Sequence, residues 1–567
     1  MKMFKSARVM VAILLVFMLV LTACGGTKTN SEASAPAETT AASAEPEVAA
    51  VSTDPFGKYE PAIDLTVGRS TNAHFKFIEG ETFDNNIWIT EYKEKLGINI
   101  KHEFLVDEAQ YDAKVNVTIA SGAIPDIMMV TAKQTKMLMD ADLIHEVTDS
   151  FSQYSSELSK KCITSDAKLY AASKIEGKLM GVPMLWALDF AFNVLWIRTD
   201  WMNKLGLSEP KTFDDFIKIA DAFTTQDPDG NGKADTYGFP MTKTLQAGTG
   251  DARGLFNMMH AYKGIWLKDA SGKLVYSGIQ PEMKAALQKM NDLYKKKIID
   301  NEFGVKDEGK IAQDVAGEKV GIEVGAFWNP AWPLNDVKVK KADSDWNAYM
   351  LPSVDDKTAL SQANVKVDQF FVISKKCKNP EALTKLLNIN LENLFGANME
   401  EWDKIELSDK YEKGTIQTFK YAVIGMEPPT HNRDLYAEIQ SYMETKDESK
   451  VRLAIDDLNK GKAFLAGDNA GWMNWKIRWD NKNGGMAITK KIIDDGTLQF
   501  NEFFGQPGPV MVEKLASMDA LELEVYTKII MGAAPIDEFD KFAEQWKKIG
   551  GDEVTKEIND WYAKNKQ

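Results

Sequence analysis

The sequence predicts an α/β protein, and three observations carry that reading. Side chains alternate at Ile63, Leu65 and Val67, and again at Ile98, Ile100, His102 and Phe104, as half-buried strands require. Between them Trp88, Tyr92 and Leu96 recur every fourth residue, and after them Tyr111, Val115 and Ile119 do the same, each set marking one face of a helix. A short buried strand, Ile124 to Val130, closes the series. Strand, helix, strand, helix, strand in that order dictates a parallel sheet with right-handed crossovers. The first helix is expected from about Asp84 with Gly97 as its stop. The second is expected from Asp107 to Ser121-Gly122.

The chain opens with Lys2, Lys5 and Arg8, followed by thirteen residues, Val9 to Leu21, without a polar side chain. That run is too short for a bilayer core, which takes about 20 helical residues. A basic flank before it and small residues after it make it a secretory leader. The run ends in Leu21-Thr22-Ala23-Cys24, which resembles the lipobox of bacterial lipoproteins. The resemblance implies cleavage after Ala23 and a diacylglyceryl thioether on Cys24, hence a membrane attachment by lipid alone on the extracytoplasmic face. Residues 1–23 are then the signal peptide. Residues 24–55, rich in Ala, Ser, Thr, Glu and Pro and free of aromatics before Phe56, cannot bury enough apolar surface to order themselves and read as a flexible tether.

The full chain of 567 residues is 44% hydrophobic, enough for sizeable cores. Its net charge of −15 becomes about −18 once the three leader cations are removed. That balance argues against a nucleic-acid or anionic-lipid surface. Beyond Cys24 only Cys162 and Cys377 remain, too few for a disulfide framework; free buried thiols are expected.

Further along, Ser121-Gly122-x-x-Pro125-Asp126-Ile127 is followed by Gly177-Lys178-Leu179-Met180-Gly181-Val182-Pro183. An extended run, Phe192 to Ile197, then leads into Asp200-Trp201-x-x-x-Leu205-Gly206. Pro210-Lys211-Thr212-Phe213-Asp214-Asp215-Phe216 reads as a helix entry with Thr212 as N-cap and Asp215 as its capping-box acid. Gln369 to Ser374 and Asn379-Pro380-Glu381-Ala382 follow as a strand and a helix start. Together with the lipobox, this order resembles the extracellular solute-binding proteins of bacterial ABC importers, family 1, in their long, lipoprotein-type branch. The resemblance implies a two-lobed, type II periplasmic-binding-protein-like fold, with a ligand cleft between lobes joined by crossing strands. Lobe 1 is expected from residues 56–188 and about 370–430, and lobe 2 from 189–369 and about 431–567. The third crossing is not located by the sequence. A monomer that captures a carbohydrate, an oligosaccharide, and hands it to permease subunits is the implied function.

Asp227-Pro228-Asp229-Gly230-Asn231-Gly232-Lys233-Ala234-Asp235 follows the EF-hand loop pattern. Oxygen donors fall at positions 1, 3, 5 and 9, a glycine at 6, and the Lys233 carbonyl at 7. A calcium ion with a structural role is expected there. Position 12 is Gly238 in place of the bidentate glutamate, so the site lacks one ligand. An Asp/Asn/Gly-rich surface turn without an ion fits the same residues. The resemblance agrees with calcium, since long alginate-binding relatives carry a calcium loop at a comparable place.

Indole faces stack on the C–H faces of pyranose rings, while amides and acids bond the hydroxyls. Phe327-Trp328-Asn329-Pro330-Ala331-Trp332 offers two indoles four residues apart with an amide between them, and Pro330 suits a helix first turn. Trp328, Asn329 and Trp332 are the leading ligand candidates, although tryptophans at helical spacing serve a core equally well. Asn85, Asn86 and Trp88, then Trp186 and Asp189 beside the first crossing, Trp266, Trp472 and Trp475 are further candidates. Trp196, Trp201, Trp546 and Trp561 read as packing residues.

Enzyme signatures are missing. No His-Glu-x-x-His or Gly-x-Ser-x-Gly occurs, and the five histidines have no ligand spacing. Gly304 to Ile311 lacks the final Ser or Thr of a phosphate loop, and Gly248-x-Gly250 reaches Arg253 where a dinucleotide fingerprint needs glycine. A surface polysaccharide-degrading enzyme and a lipoprotein that senses ligand without transport remain the alternative readings.

Overall fold

A computed structural model of the chain describes residues 52–72, 75–185, 192–414 and 416–565. The leader, Cys24 and the tether up to Val51 lie outside them. Contacts to the folded body begin at Ser52 and Pro55, a few residues before Phe56. Lys385 Nζ donates to the Ser52 carbonyl at 3.3 Å and Asn388 Nδ2 to the Pro55 carbonyl at 2.9 Å.

The strands, in chain order, are β1 (Ile63–Thr71), β2 (Ile98–Asp107), β3 (Ile127–Thr131), β4 (Val182–Pro183), β5 (Val194–Arg198), β6 (Trp266–Lys268), β7 (Leu274–Tyr276), β8 (Ile322–Gly325), β9 (Trp346–Tyr349), β10 (Ser361–Ala363), β11 (Gln369–Ile373) and β12 (Leu498–Phe500). The first sheet has the order β2-β1-β3-β11-β4. β1 runs parallel to β2 and β3, as the alternation predicts, while β11 returns antiparallel between β3 and β4. The first helix starts at Ile87, because Asn86 caps it: its side chain accepts from the Trp88 and Ile89 amides. Gly97 at φ 66° ends that helical stretch and Gly122 at φ 65° ends Glu108–Ser121, left-handed positions that suit glycine.

The second sheet, β8-β5-β9, is antiparallel throughout. Helix Phe213–Thr225 beside it carries the expected capping box: the Thr212 hydroxyl accepts from the Asp215 amide at 3.2 Å, and the Asp215 carboxylate accepts from the Thr212 amide at 3.1 Å. Among the described residues no helix is long and apolar enough to cross a membrane.

Two large cores form around these sheets. One draws its buried residues from Tyr59 to Leu185 and from Val365 to Met426. The other draws them from Leu195 to Ala359 and from Phe503 to Ile558, with a smaller cluster beside it that includes Trp196, Trp346 and Trp472. The chain therefore passes between the cores three times: after Leu185, before Val365, and after Met426. The passages are tied together. Met184 N–H donates to the Gln369 carbonyl at 2.9 Å, Glu427 N–H to the Leu185 carbonyl at 3.1 Å, and Asn193 N–H to the Ser361 hydroxyl at 2.9 Å. Cys162 and Cys377 are free and buried.

β4 owes its position to Gly181, where a Cβ would lie 2.4 Å from the Phe371 carbonyl oxygen and 3.2 Å from Val372 Cγ1. Gly181→Ala should therefore push β4 away from β11 and cost about 1–3 kcal/mol of stability. Thermal unfolding of the purified variant checks this, and an unchanged melt would contradict so close an approach.

Candidate functional site

The sheets define where a ligand can approach. From β1 the chain goes to β2 on one side and later to β3 on the other, so the connections diverge between β1 and β3. Open α/β sheets bind ligands outside the carboxyl ends of strands at such a switch point. Thr131 at the end of β3 pairs with Gln369 at the start of β11, and Pro183 at the end of β4 pairs with Phe370, so one edge of the first sheet collects the passages. In the second sheet Val194 at the start of β5 pairs with Gly325 at the end of β8, and Leu195 pairs with Tyr349 at the end of β9. The segments after Gly325 and Tyr349 thus sit at the edge that the first passage enters.

The segment after Gly325 is Ala326 to Pro333, which holds the leading aromatic candidates. It forms a run of turns, and the helix begins only at Leu334, not at Pro330. Turn hydrogen bonds replace helical ones: Asn329 N–H donates to the Ala326 carbonyl and Leu334 N–H to the Asn329 carbonyl, both at 3.1 Å. Asn329 is fully buried, with Nδ2 donating to the Gly248 carbonyl at 3.2 Å and the Trp332 carbonyl at 3.3 Å. Trp328 and Trp332 are half-buried. Trp328 packs against the small cluster of Phe327, Tyr436, Ile477 and Met486, and its six-membered ring lies within 3.1 Å of where a Cβ on Gly248 would stand.

Behind that turn lie two carboxyl groups. Glu308 Oε1 accepts from the Gly248 amide at 2.6 Å, and Glu323 Oε2 from the Gly250 amide at 2.8 Å. Glu323 is fully buried on β8. Burial pushes its carboxyl up from the ordinary 4.5 to about 8; the Gly250 amide opposes the shift, and the charges of Asp251 and Glu308 add to it.

The structure brings Trp328, Asn329 and Trp332 together in one turn and distributes the other candidates. Trp88 is fully buried in the first core, its indole against Trp402 with centroids 4.3 Å apart and Nε1 donating to the Thr418 carbonyl at 2.9 Å. Asn86 is buried as the cap of that helix, and Asn85 is an exposed turn residue bonded to Gly80. Trp266 packs in the second core against Tyr276 and Trp546. Trp472 is buried with Nε1 donating to Asp345 at 3.0 Å, and Trp475 stacks on Trp479 at 5.8 Å. Trp186, Asp189 and Cys24 lie outside the described residues. Trp196, Trp201 and Trp546 are buried packing residues, and Trp561 stands edge-on to Phe503 and Phe504.

One aromatic group escaped the sequence reading. In the loop after β1, half-buried Phe77 stacks on Tyr421 at 4.5 Å, and Phe83 stands edge-on to Phe77 at 4.9 Å. The Arg69 guanidinium lies 5.3 Å and 5.1 Å from the Phe75 and Phe83 ring centres and donates to the Tyr421 and Ala422 carbonyls. The available signal was three phenylalanines directly downstream of a strand, interrupted by polar residues.

The loop 227–235 keeps the EF-hand bend, with Gly230 and Gly232 at φ 77° and 76°. Asp227 Oδ1 accepts from the Gly230 and Asn231 amides and Oδ2 from the Gly232 amide, all at 3.1 Å. Asn231 Nδ2 reaches Asp229 Oδ2 at 2.6 Å and Asp235 Oδ1 at 3.1 Å, so the side chains converge on one point of the loop. The Asp229 carboxyl is raised, first by desolvation and then by the hydrogen bond to Asp227 and the charge of Asp235. A cation would relieve that crowding, and the hard oxygen donors suit calcium. Yet among the described residues no group of three or more His, Cys, Asp or Glu side chains is arranged to hold a metal. Position 12 cannot contribute, because a Cβ on Gly238 would lie 2.5 Å from the Ala220 carbonyl oxygen of the preceding helix.

With this geometry in place, comparison with known proteins is informative. The sequence pattern of the bacterial extracellular solute-binding proteins matches residues 78–389, more than half of the chain. The chain belongs to this family. This solute-binding protein is 24% identical over 473 residues to lipoprotein LipO of Bacillus subtilis, an alignment covering 81% of this chain and 86% of LipO. Among solved structures, an extracellular solute-binding protein of Bifidobacterium longum subsp. infantis matches at a TM-score of 0.62 and 17% identity, over 89% of this chain and 99% of its own. The substrate-binding protein FusA of an ABC transporter of Streptococcus pneumoniae, in complex with kestose, matches at 0.59 and 16% identity, over 89% of this chain and all of its own. FusA has also been solved as an EF-hand mutant, which matches at 0.56 and 17% identity over 88% of this chain and 99% of its own. The shared fold is the expected one: two α/β lobes joined by crossing strands.

Glu323 yields a stability prediction for this solute-binding protein. Its folded-state value lies above its unfolded one, so the native state retains a proton that the unfolded chain releases. Its contribution is greatest below about pH 4.5 and fades as pH rises through about 8. Glu323→Gln should flatten the stability curve between about pH 5 and 8 relative to wild type. Urea unfolding at a series of pH values measures it, and parallel curves for the two proteins would contradict a buried, protonated Glu323.

Proposed function

We propose that this chain is the lipid-anchored capture component of an ABC importer, taking an oligosaccharide between its lobes and delivering it to membrane permease subunits. The observation that supports it most is the Trp328-Asn329-Trp332 turn at the end of β8, where two half-buried indoles flank a buried amide at the edge facing the chain passages. Indole faces suit pyranose C–H faces, and Phe75 and Phe77 beyond β1 supply apolar surface from the other lobe. Lobe 1 would comprise 56–188 and about 370–430, lobe 2 the remainder of the folded chain. A ligand that touches both lobes only when they close favours the closed state, and the passages absorb the motion. The acidic overall charge favours a neutral saccharide over a polyuronate. The chain would work as a monomeric receptor and leave its ligand chemically intact.

Isothermal titration against neutral oligosaccharides and oligogalacturonates tests the reading. A neutral oligosaccharide should bind, and Trp328→Ala should weaken it about tenfold or more at an unchanged melting temperature, since an aromatic contact of this kind carries about 1–3 kcal/mol. A reducing-sugar assay on the same mixtures should show no new ends. Binding of none of them, or cleavage of any, would sink the proposal.

Calcium at 227–235 is proposed as a structural ion held by Asp227, Asp229, Asn231, the Lys233 carbonyl and Asp235. A tenfold excess over Kd adds about 1.4 kcal/mol. EDTA should therefore lower the melting temperature by about 1–2 °C, given the unfolding entropy of a chain of this size, and Asp229→Ala should abolish the difference. An EDTA-insensitive wild-type melt would leave the loop an ion-free turn.

For Cys24, the diacylated sulfur would give durable membrane attachment. Cys24→Ser should shift the protein from the membrane fraction to the medium; retention in the membrane would contradict the anchor.

A further inference from the structure

The turn carrying Trp328 rests on the loop Gly248-Thr249-Gly250, and that loop is held in an uncommon way. Loop backbone groups usually pair with other backbone or with water. Here side chains from three separate elements take them. Glu308, at the start of helix Glu308–Ala316, accepts the Gly248 amide; Asn329, on the turn itself, donates to the Gly248 carbonyl; and Glu323, on β8, accepts the Gly250 amide. Both hydrogen-bonding groups of residue 248 are thereby fixed relative to the turn.

Glycine at 248 is not demanded by the backbone, since its φ lies outside the left-handed range. A Cβ there would meet Trp328 Cη2 at 3.0 Å and Cζ2 at 3.1 Å, with the next nearest atom, Glu308 Oε1, at 3.7 Å. The neighbouring glycines differ. Gly250 has φ 66° and its Cβ would strike Ile311 Cδ1 at 2.3 Å, while a Cβ on Gly325 would lie 2.1 Å from Asn329 Oδ1. Gly250 is closed by a core side chain and by its backbone, and Gly325 by the buried Asn329 amide and the Gly248 carbonyl. Residue 248 is closed only by the indole.

We infer that Gly248 is a specificity-determining position of the saccharide site: it sets how far back the Trp328 indole seats, with Glu308, Glu323 and Asn329 as the positioning residues that hold the loop against it. This rests on the saccharide reading above. A side chain at 248 would oblige the indole to give by a few tenths of an ångström, altering the face that it offers to a sugar ring. The loop otherwise gains nothing from the missing side chain.

The test uses the mature chain, titrated calorimetrically with tri- to pentasaccharides of the fructo-, xylo-, malto- and cello- series. Gly248→Ala should bind the preferred wild-type saccharide at least about tenfold more weakly, shift the tryptophan emission, and keep the wild-type melting temperature. In a Trp328→Phe background the smaller ring leaves room for the methyl group. The same Gly248→Ala change should there cost less than about twofold, a coupling that a general loss of structure would not produce. Wild-type binding that is unaltered in Gly248→Ala, or a loss of equal size in the Trp328→Phe background, would overturn this inference alone. A wild-type chain silent to the whole series would overturn the saccharide reading and this inference with it.

Discussion

Neither lobe core is built from one continuous stretch of chain, and the three passages between them are the constraint on which the rest depends. The first core needs the return of Val365 to Met426, and the second needs Phe503 to Ile558. Where the chain changes cores it bonds to itself: Met184 to Gln369, Glu427 to Leu185, Asn193 to Ser361. β11 shows what the return accomplishes. It enters antiparallel between β3 and β4, so a parallel unit that would end at an open β3 edge is completed by chain arriving from the other lobe. Folding of either lobe is thus coupled to the path of the other.

The same constraint gathers the ends of strands from both sheets beside the passages. Strand ends that point at the passages carry the loops free to vary, and the remaining loops are occupied with packing. At the β8 end the chain leaves Gly325 directly into a run of turns, because Asn329 bonds to carbonyls on both sides and no helical ladder forms until Leu334. The indoles on either side of that buried amide are consequently only half-buried. Trp88, Trp266 and Trp472 each sit inside a different core with aromatic or polar partners already engaged.

That contrast marks how much was legible in the residues. The parallel unit from Ile63 to Val130, its glycine stops and the Thr212–Asp215 capping box follow from local patterns, because alternation, helical spacing and caps act over a few residues. The antiparallel insertion of β11 is a pairing across more than two hundred residues and leaves no local mark. Site residues were legible in part for the same reason. Trp88 and Trp328 each have an asparagine within two residues, Asn86 for one and Asn329 for the other, and the tertiary neighbours, Trp402 for one and a glycine loop for the other, separate them. Phe75, Phe77 and Phe83 were overlooked because phenylalanine after a strand reads as core, whereas Arg69 and Tyr421 gather them near the lobe edge.

The absent twelfth-position glutamate and the glycine at 248 have a common physical origin. The first departs from the EF-hand pattern, and at both glycines the fold fills the space that a side chain would take with something specific. At Gly238 it is the Ala220 carbonyl of a helix that anchors the lobe, so a ligand side chain there would cost the packing that positions the loop. At Gly248 it is an indole that is not itself locked in a core. A carbonyl within a helix cannot yield without breaking the ladder, whereas a half-buried ring can swing. Substitution at 238 is therefore a stability question, and substitution at 248 a recognition question, although the two glycines look alike in the sequence.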